Sequence, residues 1–68
     1  MKIEYLIQDH ESVSGAFRVM ICENDIIIAR KTFYGLSEVM ANAAKWHLAN
    51  PSGRVAMEFR GGKVVELA

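Results

Sequence analysis

Only one stretch of this chain is built to be a helix. Val39 to Leu48 is made of good helix formers, including alanines that give up little side-chain entropy on ordering. Ser37 suits the N-cap and Glu38 the positive end of the helix dipole. Asn50-Pro51-Ser52-Gly53 ends the run, because the residue before a proline is pushed out of the helical region. The pattern places Leu36, Val39, Met40, Ala43 and Ala44 on one apolar stripe, with Trp46 at its border and His47 near its centre. Glu38, Asn42 and Lys45 take the opposite side.

Everything around that helix alternates with the period of a strand. From Lys2 to Gln8, Ile3, Tyr5 and Ile7 face one way and Lys2, Glu4 and Gln8 the other, with Leu6 out of pattern. Asp9 to Gly15 is polar and small, a loop. Ala16 to Cys22 alternates again, with Phe17, Val19 and Ile21 on one face and Arg18 and Met20 on the other. Asn24 and Asp25 tolerate the left-handed backbone of a tight hairpin, and Ile26 to Phe33 follows at once. Neither face of that third strand is cleanly apolar, which predicts a β-bulge in mid-strand at a position the sequence does not fix.

After the helix, Arg54 to Arg60 alternates with Val55, Met57 and Phe59 inward and Arg54, Ala56, Glu58 and Arg60 outward. Gly61-Gly62 marks a hairpin and Lys63 to Leu67 the return strand. A three-residue loop, setting Val65 and Leu67 beside Phe59 and Met57, buries more than a two-residue loop that would put Glu66 there. The expected fold is therefore a single α+β domain over residues 1–68, β-β-β-α-β-β. One helix covers one face of a mostly antiparallel sheet of about five strands, and the other face stays open. Phe17, Val19, Val55, Met57 and Phe59 should be buried with Val39, Met40 and Ala43.

Composition narrows the function classes. The chain has 68 residues and a hydrophobic fraction of 51%, enough to build a core and too much for a disordered segment. A single cysteine, Cys22, excludes an internal disulfide, so a reducing cytoplasm is the expected location. No apolar run approaches the roughly 20 residues that cross a bilayer, so no membrane partner is expected. The chain starts directly in a strand-like segment without a leader pattern and is expected to be complete. Eight basic residues balance eight acidic ones, which argues against both a dedicated nucleic-acid binder and a strongly acidic DNA mimic.

No catalytic constellation is legible. His10 lies between Asp9 and Glu11, but three consecutive loop residues do not converge on one ion, and His10 reads as part of a solvated loop. His47 reads as a packed histidine bonded to a carbonyl. Cys22 has no base beside it, and Glu23 would raise its pKa. Gly61-Gly62 lacks the following helix that a phosphate cradle needs. Neither a cofactor nor a metal is expected. Trp46 reads as a core-edge residue.

The outward positions carry arginine instead. Arg18, Arg54 and Arg60, joined by Arg30 or Lys31 according to the bulge and by Lys63 at the last hairpin, form the candidate partner-binding set. Such groups suit phosphate or carboxylate recognition, and Glu4, Glu58 and Glu66 are placed to neutralise them across strands. Reversing Arg54 and Arg60 should weaken binding and leave the fold intact. The size and helix-on-sheet layout resemble small phage-encoded accessory proteins, including anti-CRISPR inhibitors. The strand-strand-strand-helix order also resembles HicB-like antitoxins, without their DNA-binding extension. These resemblances are architectural and rest on no motif. They imply a non-enzymatic inhibitor or adaptor occupying a surface of a protein or nucleoprotein complex. Nucleic acid is the alternative partner, and a homodimer is compatible with the fold.

Overall fold

The computed structural model describes residues 1–68. The strands are β1 (Ile3–Asp9), β2 (Phe17–Glu23) and β3 (Ile26–Phe33), then helix α1 (Leu36–Ala49), then β4 (Arg54–Glu58) and β5 (Val64–Glu66). They form one five-stranded sheet in the order β3-β2-β1-β4-β5, antiparallel except where β4 runs parallel to β1. That parallel pair is why the helix falls where it does. β3 and β4 run in the same direction on opposite sides of the β2–β1 pair, so no tight turn can join them and the chain crosses over the sheet as α1.

Local chemistry explains the joints. Asn24 and Asp25 both adopt positive φ, 52° and 68°, and close the β2–β3 hairpin. The expected bulge is at Ile28: Ile21 pairs with Ala29 and Cys22 with Ile27, so Ile28 has no partner across the ladder. The helix is capped by Gly35, not Ser37, which lies in the first turn without a side-chain cap bond. At the other end the Asn50 amide donates to the Trp46 and His47 carbonyls, and its side chain donates to Trp46 O at 3.0 Å.

The bulge sorts the sheet into two faces. Tyr5, Ile7, Val19, Phe33, Val55 and Met57 form the core with Val39 and Ala43 of α1, and Phe17, Ile21 and Trp46 pack at its margin. Two sequence expectations fail here. The buried helix stripe is Val39 and Ala43, with Trp46 half-buried, while Leu36, Met40 and Ala44 are exposed. The helix is thus rotated toward its tryptophan edge, where Trp46 meets Tyr5 with ring centroids 5.4 Å apart. His47 consequently leaves the centre of the stripe and, half-buried, lines a small apolar cleft with Met40 and Leu67.

Phe59 is also not core. The last strand pair ends at Glu58, and Phe59 is 39% exposed in the hairpin beyond it. The loop is three residues as expected, since the Phe59 amide donates to Lys63 O at 2.8 Å. Its register is shifted by two residues from the expectation, which keeps the same side chains on each face. Val65 stands beside Met57, and the Leu67 amide donates to Val55 O.

Candidate functional site

The face of the sheet away from α1 carries no covering layer, and its side chains fall into rows that can be read from the strand register. One row across the sheet is Arg30, Met20, Leu6, Ala56 and Glu66. The next is Thr32, Arg18, Gln8, Glu58 and Val64. On the other side lie Ile27, Cys22, Glu4 and Arg54. The face therefore has an apolar middle, arginines toward β3 and carboxylates toward β5.

The structure divides the sequence-derived basic set. Arg18 and Arg30 share the β2–β3 half of the open face and, together with Lys31, border a shallow trough of about 540 Å³ that also takes in Gln8, Met20 and Thr32. Arg54 lies on the same face in the opposite half. It is engaged: Nη1 donates to Glu4 at 2.8 Å and Nε to Glu66 at 2.8 Å. Glu66 and Glu4 together raise the Arg54 pKa and hold it charged. Arg60 lies beyond β4, where Nε meets Asp9 at 3.3 Å and Nη2 donates to the His10 carbonyl. Lys31 is in a row that faces the helix side and sits over the Phe33 ring at 5.1 Å. Lys63 is in the hairpin before β5. Arg18 pairs with Glu11 at 2.8 Å. Arg30, Lys31 and Lys63 make no ion pair, whereas Arg18, Arg54 and Arg60 all do.

The reactive side chains are occupied structurally. His10 is not free in its loop: Nδ1 accepts from the Ser12 and Val13 amides, both at 3.1 Å. Cys22 is buried, and burial first, then Glu4 and Asp25, push its thiol pKa up; Glu23, expected to act, is not among the causes. No group of three or more His, Cys, Asp or Glu side chains is placed to hold a metal ion. No helix is long and apolar enough to cross a membrane.

The feature that sequence reading missed is the edge formed by β3. Every residue from Ile26 to Thr32 is exposed, including Ile26 at 67%, Ile27 at 41% and Ile28 at 55%. An edge strand of eight residues offers its main-chain groups on one side to any incoming strand. The signal was present as the uninterrupted Ile26-Ile27-Ile28, but only the strand order shows that nothing covers it. Comparison with family models, curated proteins and solved structures finds no match to this chain.

Proposed function

We propose that this chain is a non-enzymatic binding protein that occupies a protein surface by adding its β3 edge to an extended segment of the partner. The exposed β3 edge carries the reading. Main-chain bonding along an edge supplies affinity, and alternate side chains supply choice of partner. Along β3 the side chains run from apolar Ile26, Ile27 and Ile28 to Arg30 and Lys31, neither of which has an acidic partner in the chain. The complement is a strand that is apolar at one end and acidic at the other. Such a protein acts by occupancy, as an inhibitor or adaptor, in line with the architectural resemblance to small phage-encoded accessory proteins.

Site-specific photo-crosslinking tests this. A photoreactive residue at Ile28 should capture one protein, joined through an extended acidic segment. The same residue at Lys45, on the exposed side of α1, should not capture it. Ile26→Glu, added to the chain that carries the photoreactive residue at position 28, should abolish the adduct while leaving the fold intact. Adducts only to nucleic acid, or equal capture from Lys45, would overturn the reading.

A further inference from the structure

We infer that the open sheet face is a self-association surface, and that it pairs two copies of this chain about a two-fold axis running along β1. This goes beyond the proposed function, because it uses the face of the sheet: it engages Arg30 and leaves the main-chain edge of β3, its isoleucines and Lys31 to a partner strand.

The argument is charge complementarity combined with register. The strands of the open face carry three arginines, Arg18, Arg30 and Arg54, that balance three glutamates, Glu4, Glu58 and Glu66, while Lys2 at its end is matched by Asp25 at 2.8 Å. The distribution is lopsided. In the β2–β3 half, Arg18 and Arg30 stand with Thr32, Met20, Cys22 and Ile27 and no carboxylate. The β4–β5 half carries Glu58 and Glu66, with Arg54 tied to Glu66 and Glu4.

Two in-plane axes keep the rows of both faces in register. An axis across the strands, through the Leu6 row, would stack Arg30 on Arg30 and Glu66 on Glu66. An axis along β1 keeps every row in place and exchanges its ends. Arg30 of one copy then faces Glu66 of the other, Arg18 faces Glu58, and Met20 lies opposite Ala56, which is fully buried within its own chain. Leu6 and Gln8 meet their own counterparts at the axis. Glu4 also meets itself, but each Glu4 is already neutralised by Arg54 at 2.8 Å, with Lys2 at 3.8 Å. Like-charge contacts across an interface are strongly unfavourable, so the register selects the second axis. A closed two-fold contact is self-complementary by construction. The trough beside Arg18 and Arg30 is where the Glu58 and Glu66 side chains of the other copy would lie.

The Arg18–Glu11 pair does not stand in the way. It is exposed on both sides, and exposed pairs are worth little and exchange readily.

Sedimentation velocity on the full chain tests the arrangement. The unaltered protein should show a concentration-dependent dimer that weakens with added salt, since the rim charges are screened beyond about 10 Å at 0.1 M ionic strength. Arg30→Glu alone and Glu66→Arg alone should each lower the association constant at least about tenfold, because each places like charges together at both symmetric contacts. Mixing the two variants should restore association, since both contacts in the mixed dimer then join opposite charges. Lys45→Glu should change nothing. Circular dichroism confirms that each variant is folded; if Glu66→Arg fails to fold, Arg18→Glu mixed with Glu58→Arg makes the same test at the neighbouring contact. A parent protein monomeric up to about 1 mM would overturn the proposal, because that concentration corresponds to almost no useful affinity. Single variants that associate like the parent, or a mixture with no recovery, would overturn it too.

Discussion

The Trp46 ring occupies the space in which a side chain at Gly53 would begin: a Cβ built there would lie 2.3 Å from Cη2 and 2.7 Å from Cζ3. Gly53 is buried, and the Asn50 carbonyl oxygen stands 3.0 Å from the same point. The tryptophan is held on its other side by Tyr5, so it cannot swing away without opening the helix–sheet contact. Gly53→Ala should therefore destabilise by about 1–3 kcal/mol, the usual cost of overpacking. Thermal unfolding measures this, and an unchanged melting temperature would show that Trp46 has room to move.

Tyr5 supplies a second prediction. The residue is 3% exposed, and its hydroxyl has no hydrogen-bond partner. Burial raises its pKa above the ordinary 10.0. The folded state therefore keeps a proton that the unfolded chain gives up between the two values. Stability from this group is complete below pH 10 or so and is lost as the pH rises through the folded pKa. Tyr5→Phe should remove that alkaline loss. At neutral pH it should leave stability unchanged or raise it by about 1 kcal/mol, since it deletes an unmet buried polar group. A variant clearly less stable than the parent would mean that the hydroxyl has a partner.

Phe33 and Phe59 should behave oppositely, although the strand pattern makes Phe59 inward and leaves Phe33 unassigned. Phe33 closes β3 against the core and is 2% exposed, so Phe33→Ala should cost about 3–5 kcal/mol. Phe59 lies past the last ladder pair, so Phe59→Ala should cost about 1 kcal/mol or less. In a domain of this size each kcal/mol moves the melting temperature by roughly 4–8 °C, which separates the two outcomes plainly.

These contrasts show where sequence reasoning reaches its limit. The hairpin at Asn24-Asp25, the bulge in β3 and the helix ending at Asn50-Pro51 were legible because each depends on residues next to one another. The rotation of α1 was not. Leu36, Met40 and Ala44 are as apolar as Val39, Ala43 and Trp46, and the choice between the stripes is made by Tyr5, far off in the sequence. The arginine set was found by residue type and outward phase. Glu4 and Glu66 were legible as cross-strand neutralisers, but that they both take Arg54, and that Asp9 takes Arg60, shows only once β4 lies parallel to β1.

Arg54 is the position where that difference changes an expectation most. Read as a free surface arginine, it could be reversed at no cost to the fold. The structure instead makes it the main counter-charge of Glu4, whose side chain is only 8% exposed while that of Arg54 is 40% exposed. Removing Arg54 leaves a nearly buried carboxylate with Lys2 alone, at 3.8 Å. Breaking a fully buried pair costs about 3–5 kcal/mol and an exposed one about 0–1. This pair lies between those limits, so Arg54→Ala should destabilise by about 1–3 kcal/mol at neutral pH. Adding Glu4→Gln to Arg54→Ala should recover most of that loss, because the stranded charge is then gone. Arg60→Ala, whose acidic partner is more exposed, should cost about 0.5 kcal/mol or less. A double-mutant cycle by urea unfolding reads all of these. If Glu4→Gln fails to rescue Arg54→Ala, the arginine contributes through packing of its stem over Ala56 and not through its charge.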